Sequence, residues 1–130
     1  MSDQDSYYRE HIIDHFRNPR NFGRLEGADV SHEEDNPLCG DKVRIDLRIH
    51  DGKVKEVAWE GRGCAISQAS ASLLSERVEG KSLEELAQIG KAEVLEDLGV
   101  NVSPARLKCA LLALTALQVG LNLQVAEEDA

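Results

Sequence analysis

A thiol and a carboxylate stand two residues apart in residues 36–41, whose sequence is Asn-Pro-Leu-Cys-Gly-Asp. In extended backbone, positions i and i+2 point to the same side, so Cys39 and Asp41 can bind one object together. Gly40 between them has no side chain to obstruct that object and accepts unusual backbone angles. This pairing of ligand types indicates a metal site.

Two further cysteines can add soft ligands to this pair. Cys64 follows the turn Gly61-Arg62-Gly63 and begins a predicted helix, where the helix dipole and free backbone N–H groups favour a thiolate. Cys109 lies in a second predicted helix, next to Lys108. Three cysteines alone are a weak indication, because cysteine often serves as a small buried hydrophobe. The glycine-bearing loops, helix starts and nearby cations favour metal binding instead.

Three thiolates and one carboxylate, from Cys39, Cys64, Cys109 and Asp41, satisfy a metal that takes four ligands. Sulfur ligands select zinc, copper(I) or iron–sulfur clusters. A carboxylate oxygen holds such a soft metal less firmly than a fourth sulfur, so Asp41 predicts a site that can release its guest. Structural zinc sites normally close with Cys or His, which makes a binding module with a purely structural zinc the least favoured interpretation.

Length, charge and cysteine count limit the class of protein. We predict a single domain over residues 1–130, with flexible tails at residues 1–6 and 124–130. Three cysteines, an odd number, and a start without a basic-then-apolar pattern favour a reducing cytoplasm. No apolar run reaches the roughly 20 residues of a membrane span. The net charge of −9 argues against nucleic acid as a partner.

A β-hairpin is the framework that must position these residues. Residues 42–50 alternate apolar and polar side chains, which predicts a half-buried strand with polar residues such as Asp46 pointing outward. The apolar residues of this strand are Val43, Ile45, Leu47 and Ile49. Asp51-Gly52 is a two-residue turn that allows positive φ at both positions, and residues 53–60 return as a second strand. Residues around Val30 can add a third antiparallel strand, which leaves one sheet face for helices.

Helical periodicity and capping signals predict five helices. The first is amphipathic, with Ile12, Ile13 and Phe16 on its apolar side, and His11 and His15 are interpreted as an ordinary polar flank. Capping signals mark the starts of the third and fifth helices, a capping box in one and a Ser-Pro pair in the other. The predicted ranges are 7–17, 65–78, 83–89, 92–98 and 104–119.

Four segments, collinear over residues 8–119, carry a resemblance to a known family. They are Asn18-Pro19-Arg20-Asn21-Phe22-Gly23, Asn36-Pro37-Leu38-Cys39-Gly40-Asp41, Gly61-Arg62-Gly63-Cys64-Ala65-Ile66-Ser67-Gln68-Ala69-Ser70 and Arg106-Leu107-Lys108-Cys109-Ala110. Together they resemble the U-type iron–sulfur cluster assembly scaffolds, which include the Isc and Suf scaffolds and the N-terminal part of the nitrogen-fixation scaffold. The resemblance implies an α+β fold, a three-stranded antiparallel sheet with helices packed on one face.

The resemblance also implies a function. Such a scaffold accepts sulfur from a cysteine desulfurase, builds a labile cluster, commonly [2Fe-2S], and passes it to recipient apo-proteins, without acting as an enzyme itself. Position by position, Cys39, Cys64 and Cys109 match the metal and cluster ligands, and Asp41 matches the carboxylate that keeps the cluster labile. Cys109 matches the thiol that receives persulfide sulfur in Isc-type members, and Cys39 the one described for Suf-type members.

Two departures from Isc-type members suggest an alternative. Lys108 stands where those members have histidine, and residues 102–106 replace their Leu-Pro-Pro-Val-Lys chaperone motif, so a dedicated Hsp70 chaperone is not implied. The lysine is similar to Suf-type members, but their insertion between the second and third cysteines is missing. The alternative is a zinc-dependent sulfur-transfer protein, in which Zn²⁺ masks the thiolates until a Suf-type desulfurase displaces one ligand.

Overall fold

A computed structural model of the chain describes residues 3–37 and 40–121, with side chains from residue 9 onward. The elements are α1 (Asp3–Arg17), β1 (Val30–Asn36), β2 (Asp41–His50), β3 (Lys53–Arg62), α2 (Ala65–Val78), α3 (Leu83–Ala87), α4 (Lys91–Leu98) and α5 (Pro104–Gly120). The predicted α+β fold is confirmed. Helix α1 begins inside the segment predicted as an N-terminal tail, and the predicted tail at 124–130 lies outside the described residues. Within the described ranges, no helix combines the length and apolar character needed to cross a membrane.

The sheet has the strand order β1-β2-β3, with both neighbouring pairs antiparallel. Asp51 and Gly52 connect β2 to β3 with φ of 53° and 73°, as their sequence predicts. A bulge in the β2–β3 pairing lets Val54 and Val57, three residues apart, both reach the core. The predicted hairpin and third strand are therefore confirmed.

Helices α2 and α5 cover the core face of the sheet. Trp59, Ile45 and Leu47 from the strands are at most 2% exposed beneath them. The two helices approach closely because small residues fill their contact, and the Ser70 hydroxyl donates a 2.5 Å hydrogen bond to the carbonyl of Ala110. This direct link fixes the position of α5 relative to α2.

Helix boundaries follow the predicted signals to within a few residues. Ser82 and Glu85 form the predicted capping box: the Ser82 hydroxyl accepts the Glu85 N–H at 3.1 Å, and the Glu85 carboxylate accepts the Ser82 N–H at 3.0 Å. Pro104 is the first residue of α5, as predicted, although the Ser103 side chain makes no capping hydrogen bond. Local capping chemistry is thus sufficient to place these helix starts.

Helix α1 docks through a different face from the one predicted. Ile12 is 7% exposed and His15 only 3%, whereas Ile13 and Phe16 are 39% and 44% exposed. His15 Nδ1 lies 2.7 Å from the Ser72 hydroxyl of α2, and burial lowers the pKa of His15. The interpretation of His15 as a polar flank was wrong, because a polar partner on α2 satisfies the buried ring.

The outer face of the sheet holds a second departure. Asp46 was predicted to point outward from the half-buried strand, but it is only 1% exposed, because the loop through Leu25 covers it. Its carboxylate accepts hydrogen bonds from the Leu25 N–H at 3.1 Å, the Ser31 hydroxyl at 2.6 Å and Arg44 Nε at 3.0 Å. Burial by itself raises the pKa of Asp46, but these bonds outweigh burial and hold that pKa below its ordinary value.

We expect Asp46→Asn to destabilise the fold by about 1–3 kcal/mol near neutral pH. An amide presents a donor N–H₂ where the carboxylate now accepts, so the bonds from Leu25 and from Ser31 with Arg44 cannot all persist. Because the folded pKa is depressed, the contribution is fully present above the ordinary pKa of 3.8 and is lost as pH falls through the folded value. Urea unfolding of both proteins at several pH values measures it.

Asp35→Asn, at an exposed carboxylate on β1, is the matched control and should leave the free energy of unfolding within about 0.5 kcal/mol of the original. An equal loss at both positions would show that the buried hydrogen bonds of Asp46 are not the cause. A loss for Asp46→Asn that grows as pH falls below 3.8 would contradict the linkage.

Candidate metal and cluster site

Three of the four predicted ligand residues come together at one edge of the fold. Asp41 is the first residue of β2, Cys64 is the N-cap of α2, and Cys109 lies in the second turn of α5. One carboxylate oxygen and the two Sγ atoms all lie within 4.8 Å of one another. The fourth predicted ligand, Cys39, lies outside the described residues.

Hairpin geometry explains why Asp41 and Cys64 are neighbours. The pairing of Lys42 with Arg62 sets the start of β2 beside the end of β3, so the residues just outside this pair meet at the same edge. The Cys64 thiol lies 3.6 Å from Asp41 Oδ2 and donates to it. An antiparallel hairpin therefore delivers half of the donor set by local pairing alone.

Long-range packing delivers the third donor. Cys109 comes from α5, which crosses the sheet beside α2, and the hydrogen bond from Ser70 to the Ala110 carbonyl lies one residue from this cysteine. Ser70 was not predicted to support the site. Its signal in the sequence was a serine at a helix position that faces other small residues, which is typical of close helix contact.

The donor atoms lie at the base of an open cavity of about 530 Å³. Asp41 and Cys109 are only 4% and 3% exposed, whereas Cys64 is half-buried. Arg62 and Arg106 are exposed at the rim and bring positive charge to a site whose three described ligands, one carboxylate and two cysteines, are anionic when they bind a metal. The described residues that line it are Gly40, Asp41, Arg62, Gly63, Cys64, Ala105, Arg106 and Cys109.

Lys108 precedes Cys109 and stands at the position where Isc-type scaffolds have histidine. It is exposed and is not one of the residues that line the cavity, whereas Arg106, two residues earlier, does line it. Among the described residues, the cations in the cavity lining are therefore the arginines Arg62 and Arg106 rather than this lysine.

The donor chemistry fits zinc or an iron–sulfur cluster. A tetrahedral zinc with bonds of about 2.3 Å to sulfur places its ligand atoms about 3.7 Å apart. The three donor atoms lie within 4.8 Å of one another, so small side-chain rotations bring them to that spacing. Magnesium and calcium prefer sites built from oxygen alone, which two thiols exclude.

Residues 7–127 match the family described as "NifU-like N terminal domain". The zinc-dependent sulfurtransferase SufU of Bacillus subtilis (strain 168) is 35% identical over 144 aligned positions, which cover 96% of this chain and 93% of SufU. Because that alignment is longer than this chain, SufU carries residues that this chain lacks.

Two further comparisons extend the similarity. The iron–sulfur cluster assembly scaffold protein IscU of Thermotoga maritima is 39% identical over 131 positions, covering 88% of this chain and 92% of IscU. The crystal structure of FiSufU from Fervidobacterium islandicum AW-1 superposes with a TM-score of 0.76 at 29% identity, covering 86% of this chain and 94% of that one. Fold and sequence thus agree over nearly the whole length of these relatives.

Proposed function

This chain belongs to the NifU-like N-terminal domain family, and on that premise we propose that it is an iron–sulfur cluster assembly scaffold. The observation that carries the proposal is the convergence of a buried carboxylate and two sulfurs within 4.8 Å at the base of an open cavity. Family members named as scaffolds support it. The whole of residues 1–130 serves as one domain that holds the cluster.

We assign the ligand set to Cys39, Asp41, Cys64 and Cys109, with a [2Fe-2S] cluster as cargo. Cys39 joins the set because it precedes Asp41 by two residues, close in sequence to the gathered donors. Asp41 supplies a hard oxygen to a soft metal, which weakens one of the four bonds. A cluster held by such a set is stable enough to form and weakly enough bound to leave.

Sulfur enters from the persulfide of a cysteine desulfurase. A thiolate of the scaffold, at Cys109 or Cys39, attacks the outer sulfur of that persulfide. A new S–S bond forms on the scaffold, the bond within the desulfurase persulfide breaks, and the desulfurase cysteine leaves as a thiolate. Cluster formation then requires ferrous iron and an electron donor that reduces the sulfane sulfur to sulfide. Recipient apo-iron–sulfur proteins take the finished cluster.

The second candidate function is zinc-dependent sulfur transfer. It is favoured by the similarity to SufU and by lysine rather than histidine before Cys109. Bound zinc would hold the thiolates deprotonated until the desulfurase displaces one ligand. Under this alternative the chain acts as a sulfurtransferase. Both functions use reduced thiols, and we therefore place the protein in the cytoplasm.

Anaerobic purification followed by iron, acid-labile sulfide, zinc and visible-absorption measurements separates the two functions. We expect the scaffold, supplied with ferrous iron, cysteine, a desulfurase and a thiol reductant as electron donor, to acquire iron and sulfide in equal amounts. Tight stoichiometric zinc together with stimulation of the desulfurase would favour sulfur transfer instead. Peptide mass spectrometry of the trapped persulfide identifies the first acceptor as Cys109 or Cys39. A chain that acquires neither sulfide nor persulfide sulfur contradicts both functions.

A further inference from the structure

We propose that Gly63 is a positioning residue whose missing side chain provides the space for the Asp41 carboxylate beside Cys64. The inference deepens the proposed function, because it rests on Asp41 acting as the oxygen ligand of that site. Gly63 has no side chain and therefore offers no side-chain ligand, yet the inference assigns it a role in the geometry of the site.

The space occupied by the carboxylate is the space where a side chain at position 63 would lie. A Cβ atom built on Gly63 would be 2.5 Å from Asp41 Cγ, 2.6 Å from Asp41 Oδ1 and 2.7 Å from the Ser67 hydroxyl oxygen. All three distances are far inside van der Waals contact. Gly63 also has φ of +154°, a conformation that L-residues with side chains rarely adopt.

Asp41 and Ser67, whose side chains border this space, are both held in place. Asp41 is 4% exposed, and its backbone is fixed by pairing with Asn36 in the sheet. The Ser67 hydroxyl is buried and donates to the Cys64 carbonyl at 3.1 Å. With the strand backbone held, an added methyl group requires the Asp41 side chain to rotate, and the Ser67 hydroxyl must move as well. The first movement takes the carboxylate away from Cys64 Sγ.

The consequence is chemical as well as steric. If the carboxylate turns away, the site keeps its sulfurs but loses its single hard donor, and with it the weakest bond to a soft metal. Gly63 therefore controls lability through Asp41, in the way that residues around a metal site set the orientation of its ligands.

Cobalt(II) is a suitable probe, because the visible bands of tetrahedral cobalt and its sulfur-to-cobalt charge-transfer bands report the ligand set directly. We expect cobalt-loaded Gly63→Ala to lose the spectrum of the unmodified chain and to match Asp41→Ala. The double variant, Asp41→Ala with Gly63→Ala, should show no further spectral change, because both substitutions remove the same ligand. The half-life of a bound cluster should lengthen in all three variants by the same factor.

Gly23→Ala is the matched control for backbone strain. Gly23 has φ of +139°, close to that of Gly63, but a Cβ atom there would meet nothing within 4 Å. This variant carries a similar conformational cost without a clash, so its cobalt spectrum should equal that of the unmodified chain.

A Gly63→Ala spectrum identical to that of the unmodified chain would overturn the proposal, as would a further change in the double variant. If Gly63→Ala does not fold while Gly23→Ala does, the double variant decides: recovery of folding when Asp41 is alanine supports the steric relation, and continued failure overturns it. Cobalt binding needs neither a desulfurase nor any other source of sulfide. A chain that binds cobalt through Asp41 but never builds a cluster therefore contradicts the proposed function and leaves the role of Gly63 supported.

Discussion

Replacing Cys109 with serine is expected to abolish retention of zinc and of an assembled cluster alike. The sulfur of Cys109 lies within 4.8 Å of the Asp41 and Cys64 donors and is 3% exposed, so no other thiol among the described residues can replace it. A serine hydroxyl stays protonated near pH 7 and is a hard donor for a soft metal. We expect affinity to fall by about a thousandfold or more, or about 4 kcal/mol.

A chelator competition titration measures the loss for zinc, and iron and sulfide content after reconstitution measures it for the cluster. Ala113→Ser is the control, because it also places a hydroxyl on a buried face of α5, one turn beyond Cys109, and removes no ligand. Metal content that stays unchanged in Cys109→Ser would remove this cysteine from the site. An equal loss in the control would trace the effect to the packing of α5.

The framework of the fold was predictable because its signals are local. Alternation over residues 42–50, the Asp51-Gly52 turn and the capping box at Ser82 each act within a few residues, and each is found where it was predicted. The burial of Asp46 and His15 was not predictable in this way. Periodicity gives the side of the element on which a residue lies, whereas a distant loop or helix determines whether that side is covered.

The same difference between local and long-range signals applies to the ligands of the site. Hairpin pairing explains the approach of Asp41 to Cys64, so the sequence alone contained that neighbourhood. Cys109 reaches the site through the packing of α5 on α2, which no periodicity predicts. Its place in the ligand set was expected from its residue type and nearby cations and from the family resemblance. Gly63 was interpreted only as part of the turn before Cys64, because the effect of a missing side chain depends on which atoms lie opposite it.

The buried donor atoms and the open cavity above them together favour a transiently bound metal or cluster over a permanent one. Asp41 and Cys109 are nearly inaccessible, yet the cavity above them opens between the exposed rim residues Arg62 and Arg106. A structural zinc site is normally closed by four Cys or His ligands. Here the donor set instead includes a buried carboxylate, and the cavity above it is open, so an incoming thiolate has a route to a bound metal or cluster.

Asp41→Ala should therefore make a bound cluster harder to release. The carboxylate forms the weakest bond to the soft metal, and exchange with a recipient's thiolate begins most readily at that bond. Without it, the first step of exchange must break a metal–sulfur bond. We expect transfer to an apo-ferredoxin to slow by about tenfold or more, which corresponds to about 1.4 kcal/mol in the barrier.

The rate is followed by visible absorption or circular dichroism as the cluster moves from the scaffold to apo-ferredoxin. Asp35→Ala is the matched control, because it removes an exposed carboxylate from β1 and the same unit of charge, but no ligand. Equal slowing in both variants would assign the effect to surface charge at the recipient interface. Transfer from Asp41→Ala at the original rate would contradict the role of the carboxylate, since the bond at which exchange begins would then lie at one of the sulfurs.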